Sequence, residues 1–243
     1  MIDLTSIRKE TRYGIPAADQ VLFNRYYITG YSYYFRQAKW TLEIVNVPTI
    51  NAEPEGVERI DDFRPDFRIP QIFRADLVDF KDSGYDRGHM IPSADLRETG
   101  LQNSETFLLS NMSPQKPDLN RHIWRTLENN IRILNNKEEI LETYVLTGPV
   151  FYFDKTVDII GTNDNNDVTI PVPHAYFKSI LTEDKKGKIK MWSFIINNEK
   201  ANLPLSNYRV TTSKVEQFTG IKIWDKLVGE EIEKEKNNCR KMW

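Results

Sequence analysis

Five separated stretches rich in β-branched and aromatic residues constrain this chain more than any other sequence feature, because such stretches favour β-strands. They lie at 26–29, 40–45, 143–146, 176–181 and 191–196. No Pro/Gly/Ser-rich linker and no repeat with a period of roughly 20–50 residues divides the 243 residues. We therefore expect a single domain over 1–243, built on a β-sheet with hairpins and longer connections.

One helix is indicated by the spacing of apolar residues. The apolar side chains recur at steps of four and three, at Leu119, Ile123, Leu127, Ile131 and Leu134. Pro117 and Asp118 supply a start signal. Shorter helices are indicated at 213–218 and 224–236, and the charged run that ends the second is typical of a solvated helix face. The polar stretch 161–167 predicts a loop.

Composition excludes several classes of protein. The net charge of −2 gives no global field that would attract a polyanion, so any such ligand needs a local basic patch or a metal ion. The single cysteine, Cys239, rules out an intramolecular disulfide framework and leaves no paired Cys/His motif for zinc. No membrane span and no secretory leader is visible, which predicts a soluble, untargeted chain with no membrane partner. Localisation stays unassigned, and export stays open if a leader has been removed.

An acid, a guanidinium and an imidazole fall within four residues in Asp86-Arg87-Gly88-His89. Each of these groups is costly to bury without a partner, so such density is unusual. The chain has three histidines, and the one in this cluster is the natural candidate for a base that titrates near neutral pH. A hydrogen-bonded structural histidine is the alternative.

A second cluster lies on the predicted helix, where Asn120, Trp124 and Glu128 follow one another at steps of four. On an α-helix these residues share one side. Mg²⁺ prefers oxygen ligands and often keeps several waters, so one amide oxygen and a carboxylate holding a metal-bound water form a plausible minimal site. The alternative is an ordinary helix start with a surface glutamate.

Both clusters belong to a longer ordered series of motifs that covers nearly the whole chain. The series runs Tyr13-Gly14-Ile15-Pro16, Phe63-Arg64-Pro65-Asp66, Ser83-Gly84-Tyr85-Asp86-Arg87-Gly88-His89, Leu109-Ser110-Asn111, Pro114-Gln115, Leu119-Asn120, Leu127-Glu128, Thr147-Gly148-Pro149, Val172-Pro173, Phe177-Lys178 and Tyr208-Arg209-Val210. This series closely resembles the DNA/RNA non-specific endonucleases of the ββα-metal (His-Me finger) superfamily, which includes endonuclease G.

The resemblance implies an α+β fold, with a central antiparallel β-sheet flanked by helices and an embedded ββα-metal unit at about 79–133. It implies that His89 is the general base and that Asn120 is the direct protein ligand of Mg²⁺, with Mn²⁺ or another divalent cation as the alternative. Arg87 would contact the scissile phosphate and Glu128 would anchor a metal-bound water.

Supporting roles follow from the same resemblance. Asn111 and Gln115 would support the site through hydrogen bonds, and Asp86 would fix the turn or pair with a nearby arginine. Some relatives carry a further arginine for which the stretch 40–45 offers no counterpart. The residues that could replace it are Arg64, Arg68, Arg74, Arg121 and Arg125. His122 is expected to face away from the metal, and His174 to be structural.

The activity implied is Mg²⁺-dependent hydrolysis of DNA and RNA with little sequence preference, leaving 5′-phosphates. DNA and RNA would be the substrates. An inhibitor protein and a homodimer are further expected partners, because a free nuclease endangers its own cell and family members are often dimers. Two alternatives remain: a catalytically silent nucleic-acid-binding module, and a phosphodiesterase restricted to small nucleotides or to one nucleic acid.

Overall fold

The computed structural model describes residues 8–45, 56–162 and 168–243. Its strands are β1 Gln20–Phe23, β2 Tyr27–Ser32, β3 Gln37–Ile44, β4 Asp86–His89, β5 Met112–Gln115, β6 Ile140–Val150, β7 Ile159–Ile160, β8 Ile170–Pro171, β9 Ala175–Asp184, β10 Ile189–Asn197 and β11 Arg209–Val210. Within these ranges, a seven-stranded antiparallel sheet has the order β1-β2-β3-β6-β9-β10-β11. All five stretches predicted as strands overlap strands of this sheet. Of the loop predicted at 161–167, residues 163–167 lie outside the described ranges.

Helices are fewer than strands in the described chain. They are α1 Leu77–Phe80, α2 Gly100–Glu105, α3 Arg125–Asn135, α4 Thr212–Thr219 and α5 Glu230–Lys236. Short 3-10 turns occur at Lys9–Tyr13, Gln71–Phe73, Ser93–Asp95, Leu109–Asn111 and Leu205–Tyr208, and a π-helical turn at Leu119–Trp124 precedes α3. The expected α+β fold, with an antiparallel sheet and flanking helices, is therefore confirmed.

The helix predicted from the apolar spacing is present, and all five of its stripe residues are buried. Its first part differs from the expectation, because the backbone is α-helical at residues 117–118, π-helical from Leu119 to Trp124 and α-helical again from Arg125. A π-helical turn bonds residue i to i+5, so it is wider than an α-helical turn. The simple four-residue spacing therefore does not describe how Asn120 and Trp124 are placed.

The second C-terminal helix is also shorter than expected, since α5 begins at Glu230 rather than near residue 224. Trp224 and Gly229 both have positive φ angles, of 56° and 111°, which an α-helix does not admit. The charged run is mostly exposed, as predicted, except that Lys236 is buried and its ammonium donates to Glu216.

The two faces of the sheet bury different elements. On one face, the π-helical turn and α3 pack against residues of β9 such as Tyr176 and Ile180. On the other face, α4 packs against the alternate residues Phe177 and Leu181. This alternation is the normal two-residue period of a strand, so residue 178 points toward the helix that carries Asn120.

The hairpin of β4 and β5 is attached to the same helix-bearing face. The hydroxyl of Tyr176 donates to the carbonyl of Pro114 at 2.9 Å and lies 2.7 Å from the hydroxyl of Ser113. The order β4, β5, helix forms the expected ββα unit over residues 86–135. This unit is fixed against the central strands of the sheet. A cleft lies on the side of the unit where β4 and the start of the helix meet.

Candidate active site

A cleft of about 570 Å³ lies between β4, the start of the helix and the segment that precedes α1. Its lining includes Arg59, Asp61, Phe63, Asp86, Arg87, His89, Arg97, Asn120, Arg121, Arg125, Glu128 and Arg132. The structure therefore brings together five of the residues singled out from the sequence: Asp86, Arg87, His89, Asn120 and Glu128. Their side chains come from segments that are far apart in the chain.

His89 ends β4, where it pairs with Met112 of β5. Its ring lies edge-on to Phe107, with centroids 4.9 Å apart, and is tilted against Phe63 at 5.8 Å. The Nε2 atom is buried and has no hydrogen-bond partner among the described residues, which leaves Nδ1 as the nitrogen able to act in the cleft. Burial, together with the cations of Arg59 and Arg87, lowers the pKa of His89 to about 3, so the imidazole is neutral at physiological pH.

Asn120 is oriented by Asp86. The Nδ2 atom of Asn120 donates to Oδ2 of Asp86 at 2.9 Å, and Arg121 donates to both carboxylate oxygens, at 2.9 and 2.6 Å. The pKa of Asp86 is lowered because the hydrogen bonds and charge of the arginine outweigh the opposing effect of burial. Asp86 is therefore an anionic acceptor whose bond to Nδ2 directs the amide oxygen of Asn120 elsewhere. No described group donates to that oxygen.

Glu128 lines the cleft from α3, and 12% of its side chain is exposed. Burial raises its pKa to about 7, while the ammonium of Lys178, 3.9 Å from Oε1, acts in the opposite direction. The carboxylate is thus neither solvated nor paired with a surface cation. Lys178, on the sheet, is the largest of the compensating charges, and Arg132 and Arg125 act in the same direction.

Arginines surround the mouth of the cleft, and the sequence analysis found only some of them. Arg87 stacks over the ring of Phe63 at 4.2 Å and has no carboxylate partner among the described residues. Arg125 also lines the cleft without such a partner. Arg59 and Arg97 were not singled out, although both line the cleft, because no local motif marks either of them.

Three of the arginines proposed as replacements do not line this cleft. Arg64 pairs with Asp62, Arg68 pairs with the buried Asp66, and Arg74 lies over the ring of Phe67. Arg121 and Arg125 do line it. A chain with a net charge of −2 needs a local basic patch to bind a polyanion. The arginines that line the cleft supply this patch.

The geometry agrees with comparisons to known proteins. A family model described as DNA/RNA non-specific endonuclease matches residues 5–230. This chain belongs to that family. Nuclease C1 of Cunninghamella echinulata var. echinulata is 36% identical over 207 residues, which cover 83% of this chain and 81% of that protein. Mitochondrial endonuclease G of Caenorhabditis elegans is 33% identical over 242 residues, which cover 95% and 76%.

A solved structure supports the same assignment. A chain from the crystal structure of the EndoG/EndoGI complex matches with a TM-score of 0.82 at 30% identity, over 94% of this chain and 95% of that one. The resemblance inferred from the motifs and the fold that it implied are confirmed. Because the family and its relatives are named for nuclease activity, this endonuclease-family chain is a nucleic-acid hydrolase.

Nucleases of this family depend on a divalent metal ion. In the described ranges, no group of three His, Cys, Asp or Glu side chains could hold a metal ion. The donors present are instead the amide oxygen of Asn120 and the carboxylate of Glu128, both oxygen ligands at one cleft. This donor set fits a hard cation that keeps most of its water.

The two expected supporting residues of this nuclease behave differently. Asn111 is fully buried; its Oδ1 accepts from the amide of Ile91, and its Nδ2 donates to the carbonyls of Ile91 and Thr106. It thereby fixes the backbone two residues after His89. Gln115 differs from the expectation, since neither side-chain polar atom has a hydrogen-bond partner among the described residues. It packs over Gly88, where an added Cβ atom would overlap Oε1 of Gln115.

The two other histidines lie apart from the cleft. His122 is exposed in a groove on the outer side of the helix. His174 accepts from the amide of Tyr152 through Nδ1 and contacts the carbonyl of Thr156 through Nε2. Cys239 is an exposed free thiol. No described helix has both the length and the apolar composition that a bilayer span requires.

Proposed function

We propose that this nuclease is a divalent-metal-dependent endonuclease that hydrolyses phosphodiester bonds of both DNA and RNA, with Mg²⁺ as the cation and 5′-phosphate products. The observation that supports this most directly is that a neutral imidazole, an amide oxygen and a carboxylate line one cleft bordered by arginines. We also propose that residues 1–243 form one domain.

His89 is the general base in this proposal. Its neutral ring can accept a proton through Nδ1 from a water that attacks the phosphorus. The nearby cations of Arg59 and Arg87 contribute to lowering the pKa of His89. A bound phosphate places negative charge beside those cations, which raises the pKa of the ring toward the range in which it accepts a proton.

Asn120 and Glu128 are the residues that would hold the cation. Asn120 would bind it directly through Oδ1, because Nδ2 is engaged by Asp86. Glu128 would accept a hydrogen bond from water bound to the cation. When bound, the cation supplies charge stabilisation for the phosphate and the leaving oxygen. Arg87, which has no carboxylate partner in the described part of the chain, would contact the phosphate beside the scissile bond.

The test is cleavage of plasmid DNA and of RNA with Mg²⁺, with and without EDTA. We expect His89→Ala to lower the rate at least about 100-fold, the loss typical for a general base. His122→Ala is the matched control, because that histidine is exposed outside the cleft. Wild-type rates in His89→Ala would eliminate the proposed base.

The purified wild-type protein also distinguishes this proposal from the two alternatives, a restricted phosphodiesterase and a catalytically silent binding module. Initial rates on duplex DNA, RNA and a dinucleotide ester distinguish a general nuclease from an enzyme restricted to one substrate. Binding of nucleic acid without cleavage would indicate a catalytically silent binding module.

The EndoG chain comes from a crystal structure of the EndoG/EndoGI complex that concerns the mechanism of EndoG inhibition. We therefore propose an inhibitor protein as a partner, testable by co-purification and loss of activity, and a homodimer, testable by sedimentation.

A further inference from the structure

Lys178 is a buried cation that the mechanism above does not use, although it belongs to one of the sequence motifs. It lies on β9 with 1% of its side chain exposed. Burying an ammonium group is costly unless neighbouring groups compensate for the lost water. Its contacts therefore show what the protein gains from a charge at this position.

The contacts of Lys178 connect the two halves of the ββα unit. The ammonium donates to the carbonyl of Met90, the residue that follows His89, at 3.3 Å. It lies 4.9 Å from the ring centroid of Trp124 and 3.9 Å from Oε1 of Glu128, both on the helix that carries Asn120. It also donates to the hydroxyl of Thr147 on β6 at 3.0 Å, which fixes it to the sheet.

No other described group replaces these contacts. Lys178 is the only cation within salt-bridge distance of Glu128 among the described residues, and Glu128 makes no hydrogen bond to any of them. Asp95, another buried carboxylate nearby, is already paired with Arg132 at 2.5 Å. Glu43 and Asp95 also feel the charge of the ammonium, but among the described residues neither forms an ion pair with Lys178.

We infer that Lys178 is a positioning residue of the active site. Its buried ammonium ties the backbone that follows His89 to Glu128 and Trp124 on the helix, and so fixes the general base relative to the cation-binding groups. This inference rests on the proposed function, because it assigns Lys178 a role only through His89 and Glu128. Lys178 itself does not line the cleft.

Three substitutions separate positioning from packing. Lys178→Met keeps an unbranched side chain, one atom shorter than that of lysine, but removes the charge and the donor. Lys178→Gln removes the charge but retains a donor for Met90. Thr147→Val is the matched control, because it removes one partner of the ammonium and leaves the contact with Glu128.

For each variant, kcat and KM are measured on a labelled oligonucleotide, and Mn²⁺ binding is followed by electron paramagnetic resonance. Thermal melts report folding. We expect Lys178→Met to lower kcat and Mn²⁺ affinity about 10- to 100-fold, the usual effect of losing a group that orients metal-binding residues. KM should change much less, and Lys178→Gln should show an intermediate loss. Thr147→Val should remain close to wild type.

The inference is overturned if Lys178→Met keeps wild-type kcat and Mn²⁺ affinity, or if Thr147→Val loses both to the same extent. If Lys178→Met gives no cooperative melt, Lys178→Gln decides by the same criteria. A wild-type protein that cleaves no nucleic acid would instead refute the proposed function. An active wild type with unaffected Lys178 variants refutes only the role of Lys178.

Discussion

Removing the carboxylate of Asp86 should lower cation affinity and nuclease activity much more than it lowers the stability of the fold. In Asp86→Ala, the Nδ2 atom of Asn120 loses its 2.9 Å hydrogen bond to a charged acceptor. Such bonds contribute about 1.5–3 kcal/mol, and the lower end applies here because Asp86 is partly exposed. A loss of about 1.5 kcal/mol corresponds to roughly a tenfold weaker preference for the amide orientation that presents Oδ1. We therefore expect about a tenfold loss of cation affinity and of activity at limiting Mg²⁺.

Stability should respond much less to the same change. The guanidinium side of the Asp86–Arg121 pair is 65% exposed, and exposed ion pairs contribute little to the free energy of unfolding. The melting temperature of Asp86→Ala should therefore fall by only about 3–6 °C, the shift that corresponds to the lost hydrogen bond to Asn120. A structural role for Asp86 alone would predict the opposite pattern.

The assay compares initial cleavage rates on a labelled duplex across a Mg²⁺ titration, beside Mn²⁺ binding and thermal melts. Arg121→Ala is the control, because it removes the ion pair but leaves the bond between Asp86 and Asn120. The reasoning is refuted if Asp86→Ala has wild-type activity at limiting Mg²⁺. An equal loss in Arg121→Ala would assign the effect to the ion pair instead.

Further predictions concern the groups around the cleft. Burial raises the pKa of Glu43, so the wild type loses stability as the pH rises above the ordinary carboxyl range; the melting temperature of Glu43→Gln relative to wild type should therefore increase from pH 5 to pH 8. Arg132→Ala should cost about 3 kcal/mol by leaving the buried Asp95 uncompensated, lowering the melting temperature by about 6–12 °C. Unchanged melting would show that Asp95 finds other compensation. Gly88→Ala should cost about 1–3 kcal/mol through overlap with Gln115, and Gly88→Ala with Gln115→Ala should recover most of it. A double variant as unstable as the single one would place the strain elsewhere.

Local patterns were sufficient for the parts of this molecule that depend on neighbouring residues in the chain. Stretches rich in β-branched and aromatic residues located the central strands, because such residues favour the extended backbone of a buried sheet. The cluster at Asp86–His89 was found because its residues adjoin in sequence, and Asn120 was found because it shares the predicted helix with Glu128. The resemblance then assigned their roles, and the structure places them around one cleft.

The residues whose roles were missed in the sequence are those whose position depends on tertiary structure. Arg59 and Arg97 reach the cleft from segments without a motif. Lys178 was part of a motif but received no role, although a single lysine within an apolar strand is a signal of a compensated buried charge. Gln115 was expected to form hydrogen bonds, but its side chain packs over Gly88. This contact depends on the cross-strand pairing of β4 with β5.

The π-helical turn that carries Asn120 makes one stretch of this nuclease tolerant of a change in chain length. A π-helical turn holds one residue more than an α-helical turn. Deleting one residue between Asn120 and Trp124 would let α-helical bonding resume between the same groups, so Asn120 would keep its place relative to α3. Deleting one residue within α3, which holds no extra residue, would instead rotate Asn120 by about 100° relative to the rest of that helix. An alignment gap of one residue at the π-helical turn is therefore compatible with the cation site, whereas the same gap one turn later is not.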